Sequence, residues 1–154
     1  MTKLAPKGSK LLGVRWTYSL ALLLVPGLFY IHTVLLFDVA GAMLGTQPWF
    51  LERFEPHMAG KLITLACFVI LFVAHALDTG MWSLFLRWTG LIPTFLEGLY
   101  FVGASISTLG YGDVVLPKPW RHIGPIIAIT GVLKFGCSTA FLFLVMQTLW
   151  EKQI

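Results

Sequence analysis

The run Thr108-Leu109-Gly110-Tyr111-Gly112-Asp113 holds the residues of this chain whose types and spacing could do chemistry. Glycine recurs at alternate positions, and glycine adopts backbone dihedrals that a Cβ forbids. A backbone freed in this way can turn successive carbonyl oxygens toward one axis, where they replace the water around a cation such as K⁺. Thr108 adds a side-chain oxygen at the inner end, and Tyr111 is placed to wedge the loop against its surroundings. Taken alone, Gly110-Tyr111-Gly112 is a common turn-like triplet that means little. Ser107 before the run, Asp113 at its end and long apolar stretches on both sides give it meaning.

The elements that must position this loop are apolar. The chain has 154 residues, 57% hydrophobic and 12% charged, where soluble domains carry about a quarter charged residues. An all-α integral membrane protein follows. Its net charge is +4, with Lys3, Lys7, Lys10 and Arg15 clustered at the start; such a cluster suits anionic lipid, and no stacking aromatics accompany it, so no nucleic-acid partner is expected. Cys67 and Cys137 fall inside apolar runs and are expected to be packing residues. The start mimics a signal peptide, but the apolar stretch from Trp16 to Phe37 is about 22 residues, too long for such a peptide and long enough to cross.

Four apolar segments are legible. The first runs from Trp16 to Leu44, with a kink expected at Pro26-Gly27. Gly45 to Gly60 is a polar break interleaved with aromatics, suited to the interface. The second runs from Lys61 to Trp88, the third from Thr94 to Ser107 and the fourth from Arg121 to Trp150. The third is too short to span. It opens on Pro93 and on Thr94-Phe95-Leu96-Glu97, a capping box in which threonine and glutamate satisfy amide donors at the helix start. Such a half-helix aims its partially negative carboxyl end at the 108–113 loop. Non-helical backbone at membrane depth survives only where protein buries it or it lines water, so a re-entrant segment is expected.

Thr108 to Asp113, with the helix before it, resembles the selectivity filter of the potassium channel superfamily. From Lys61 to Trp150 the chain is similar to the outer helix, pore helix, filter and inner helix of small two-helix bacterial potassium channels. Thr130-Gly131-Val132-Leu133-Lys134-Phe135-Gly136 matches their hinge-glycine and phenylalanine-glycine pattern. The resemblance implies a homotetramer, since each chain supplies one filter segment, and a passive K⁺ channel of the bacterial inner membrane without enzymatic activity or cofactor. K⁺ would be held by carbonyls of Thr108, Leu109, Gly110 and Tyr111, with Gly112 completing the filter and Ser107, Glu97 and Asp113 supporting it. Residues 1–60 form an added helix and linker, and 61–154 the pore domain. Three departures stand out: Ala104 replaces a glutamate that some members carry behind the filter, Phe101 a tryptophan, and Lys134 a small or apolar residue. A filter open to the outside also puts the amino terminus outside, against the positive-inside preference.

Other residues carry weaker signals. His75 and Asp78 lie one helical turn apart, and ionisable residues inside a membrane are functional candidates; proton sensing competes with plain hydrogen bonding. Lys134 is expected to turn from the pore axis and pair with Asp78 or a carbonyl, since four lysines facing a cavity repel K⁺. If it obstructed the cavity instead, the chain would be a non-conducting subunit or sensor. A weakly selective cation channel is the other alternative, against which Tyr111 counts. Gly131, Phe135 and Gly136 are gating candidates, with Gly131 either a hinge or a site of close helix packing. Trp82, Trp88, Trp120, Tyr100 and Trp150 read as interfacial belt residues. His32 and Asp38 are assigned no role.

Overall fold

A computed structural model describes residues 13–151; Lys3, Lys7 and Lys10 of the basic cluster lie outside them. The elements are α1 (Val14–Arg53), α2 (Pro56–Trp88), α3 (Phe95–Ile106) and, after one 3₁₀ turn at Trp120–His122, α4 (Ile123–Glu151), with no strand among the described residues. Three stretches are long and apolar enough to cross a membrane: Val14–Thr46, Pro56–Trp88 and Trp120–Glu151. The protein is thus an all-α membrane protein. With 12 residues α3 is about 18 Å long and cannot cross.

The first helix is longer than the sequence suggests. It passes through Pro26-Gly27 without interruption and runs beyond Leu44, through Gln47-Pro48, to Arg53. Proline removes one amide donor from a helix, yet here the apolar period outlasts it. Leu35, Val39, Met43 and Phe50 recur on one face, and all four belong to a single cluster. Thr46 Oγ1 donates to the Ala42 carbonyl (2.8 Å) just before the proline. Only Phe54 and Glu55 separate α1 from α2, which opens on Pro56, a residue preorganised for the first helical turn.

The helices contribute to two compact units. One combines the described residues up to Phe29 with Ala76–Lys134 and contains the 108–113 loop. In its core Trp82 and Leu86 of α2 meet Phe101 and Val102 of α3 and Ile123 and Ile127 of α4, all buried. Tyr18 Oη donates to the Pro119 carbonyl (2.8 Å), fixing the start of α1 beside the segment that follows the loop. The other unit combines Tyr30–His75 with Phe135–Ile154. There Val39 and Met43 of α1 pack with Ile63 and Cys67 of α2 and Val145 and Leu149 of α4. Both cysteines are free, Cys67 buried and Cys137 partly so.

The aromatic belt needs correction. Trp82 and Trp120 are core residues, 2% and 8% exposed, whereas Trp16, Trp88 and Trp150 are exposed. A large ring suits either setting, and residue type alone does not separate them.

Candidate functional site

Short-range bonds set where α3 begins. Thr94 sits in extended backbone, and its Oγ1 accepts from the Glu97 amide (3.1 Å). The same hydroxyl donates to Glu97 Oε2 (3.2 Å), so glutamate holds the capping side chain itself. Arg87 Nη1 donates to the Pro93 carbonyl (2.6 Å), and Ser83 Oγ to that of Phe95 (2.7 Å). A Cβ on Gly98 would collide with Ser83 Oγ, so glycine is needed for α3 to approach α2 so closely.

At its other end α3 runs directly into the loop. Ser107 caps the helix, its Oγ donating to the Gly103 carbonyl (2.6 Å). The Thr108 amide donates to Ser105 O (3.1 Å) and the Gly110 amide to Ala104 O (3.0 Å). Thr108, Gly110 and Gly112 take positive φ, at 61°, 53° and 73°. Glycine accepts this region freely, while a β-branched threonine there is a true outlier. Strain of this kind persists only where surrounding bonds hold it, and the two amide bonds onto α3 do so. All six residues from Thr108 to Asp113 are exposed. Tyr111 is 68% exposed on the single chain. The loop borders an open cleft of about 1270 Å³, lined also by Tyr100, Ala104 and Arg121.

Asp113 has a partner that sequence reading missed. With Ala104 on α3, no carboxylate is available there. Instead Tyr100, one turn earlier on the same helix, donates from Oη to Asp113 Oδ2 (2.7 Å). Oδ1 accepts from the Val114 amide (3.0 Å). The Tyr100 bond, foremost, holds the Asp113 carboxyl below its ordinary range, and the same bond pushes the Tyr100 hydroxyl up. The available signal was the four-residue spacing of Tyr100 and Ala104, which puts both on one helix face.

The remaining candidates are placed as follows. Lys134 is buried and pairs with Asp78 Oδ2 at 2.8 Å, one of the two arrangements expected for it. His75 Nε2 lies 3.0 Å from Ser138 Oγ, and its ring lies 4.3 Å from that of Phe135. His32, given no role from sequence, is buried with Nε2 2.9 Å from the same Ser138 oxygen. Gly131 is buried against Ile106, whereas the position of a Cβ on Gly136 is open space.

A profile of the family described as "Ion channel" matches residues 62–148, more than half of the chain. The chain belongs to this ion channel family. The match takes in α3, the 108–113 loop and most of α2 and α4, while α1 precedes it. No curated protein and no solved structure matches the channel. Permeation of ions through an integral membrane protein is the class of activity of this family.

Proposed function

We propose that this ion channel is a passive, K⁺-selective homotetramer with residues 108–112 as its filter. The observation that carries the reading is the alternation of positive φ at Thr108, Gly110 and Gly112. Changing the sign of φ at every second residue allows carbonyls of a non-helical segment to face one way. The carbonyls of Thr108, Leu109, Gly110 and Tyr111, with the Thr108 hydroxyl, would then replace the K⁺ hydration shell, and repulsion between ions in adjacent sites would drive transit. Exposure of the whole loop supports assembly, since four chains around an axis would cover it and give Tyr111 its packing. No cofactor is needed, and the bacterial inner membrane is the proposed location.

Residues 61–154 would form the pore domain, with residues 1–60 as an added crossing helix and linker. The Tyr18 bond to Pro119 supports an amino terminus on the side of the 113–119 segment. The buried Lys134–Asp78 pair favours conduction over a lysine-plugged, non-conducting subunit.

Radioactive Rb⁺ uptake into liposomes holding purified channel tests the reading, with external K⁺ or Na⁺ as competitor. Competition by K⁺ but not Na⁺ is expected. Equal competition by both would leave a weakly selective channel, and absence of uptake a non-conducting subunit.

A further inference from the structure

Gly131 and Gly136 lie on the same helix, five residues apart. Glycine weakens a helix interior equally at either place, by about 1 kcal/mol relative to alanine. Their surroundings differ completely. A Cβ on Gly131 would stand 2.6 Å from Ile106 Cβ, 2.8 Å from its Cγ2 and 2.9 Å from its Cα. A Cβ on Gly136 would have nothing within 4 Å, and one on Gly124 would only touch the tip of the Phe101 ring at 3.4 Å. A ring tip can swing aside, but Ile106 Cα is backbone.

Ile106 is the last residue of α3 and stands two positions before Thr108. Its neighbours Ala104 and Ser105 supply the carbonyls that bind the amides of Gly110 and Thr108. Where Ile106 rests therefore fixes where the loop starts. Thr130, beside Gly131, turns its hydroxyl back to the Ile126 and Ile127 carbonyls of its own helix (3.1 and 2.9 Å). At this height it is the bare Cα of residue 131 that meets the end of α3.

We infer that Gly131 is a positioning residue for ion discrimination: its missing Cβ lets α4 seat the carboxyl end of α3 where the 108–113 loop can take its shape. This rests on the filter reading above. A hinge at Gly131 would govern how often the channel opens and leave discrimination alone, whereas a seat for α3 governs discrimination itself.

The test is the K⁺/Na⁺ permeability ratio, taken from reversal potentials in planar bilayers, which does not depend on how often the channel opens. Gly131→Ala should lower the ratio about tenfold, as expected where a site loses its supporting shell, and Gly136→Ala should leave it within roughly twofold. Both substitutions stiffen the helix alike, so stiffening cannot produce the difference. Ile106→Ala removes Cγ2 from the same contact without adding volume and should lower the ratio by about two- to threefold. It decides the matter if Gly131→Ala fails to assemble. An unchanged ratio in Gly131→Ala, an equal loss in Gly136→Ala, or, where Gly131→Ala does not assemble, an unchanged ratio in Ile106→Ala would overturn the inference. A wild-type channel that does not prefer K⁺ would overturn the filter reading and this inference together, whereas a selective wild type with an equally selective Gly131→Ala overturns the inference alone.

Discussion

Two regions of this apolar chain are rich in polar groups and treat them in opposite ways. Along 108–113 every residue is exposed, and alternate residues sit in left-handed backbone. Inside the helices one set of polar side chains is buried or partly buried and joined to one another. Lys134 holds Asp78, and Ser138 lies within hydrogen-bond distance of both His32 and His75. A serine hydroxyl has one hydrogen, so it can donate to one imidazole while accepting from the other. Buried polar groups that satisfy each other hold helices together. A strained loop left open to its surroundings is built to receive something else.

The sharpest way to break this comparison is to remove the loop's conformational freedom. Gly110 has a φ of 53° with open space at its Cβ position within its own chain, so Gly110→Ala meets no atom of that chain and strains the backbone. Rb⁺ uptake should fall by about a hundredfold while the protein still assembles, since misplacing an ion site by a fraction of an ångström is enough. Uptake near wild type would mean that the loop is not the pathway.

The buried pairs should answer in stability instead. Lys134→Met takes the cation from the Asp78 carboxylate and should cost about 3–5 kcal/mol, whereas Lys134→Met with Asp78→Leu should cost far less, because it removes both charges together. Thermal unfolding in detergent measures both. Equal losses would show that the helices gain more from the ion pair than from its mere satisfaction. Ser138→Ala comes next, with about 1–3 kcal/mol expected from two imidazoles that lose a shared partner. Thr148→Ala is its control, since that hydroxyl only bonds back to Leu144 in its own helix.

The smallest effect belongs to the rim of the loop. The Tyr100 bond lowers the Asp113 titration, so the stabilisation it gives is present above the ordinary carboxylate range and is lost as pH falls through the lowered value. In Tyr100→Phe that loss should begin at higher pH. Rb⁺ uptake followed from neutral to acid external pH would show the acid-side decline moved upward. Superimposable profiles would separate Asp113 from the activity.

Legibility followed distance along the chain. The loop, its glycines and the cap of α3 are local, and Pro93, Thr94 and Glu97 announce the start of that helix within a few residues. Lys134 was legible through its cost, because a buried cation must find an anion and Asp78 was within reach. The far end of α1 was not. Pro48 and the charges near it read as a break, while the face carrying Val39, Met43 and Phe50 needed α2 and α4 to show its value. Tyr100 and Asp113 are thirteen residues apart, joined by a turn of the chain that no periodicity describes. His32 gave no sign, since its neighbour Ser138 comes 106 residues later.

The three stretches long and apolar enough to cross, of 33, 33 and 32 residues, are each about 50 Å long as helices, against a hydrocarbon layer of about 30 Å. A tilt of about 20°, usual for such helices, shortens that height by only a few ångströms. Charged residues such as Lys61, Arg87, Arg121 and Glu151 lie near their ends, so the turns outside the hydrocarbon sit in the headgroup layer. Bilayer thickness sets how many of those turns lie outside the hydrocarbon. Vesicles of longer acyl chains would cover more of them, and thinner ones fewer.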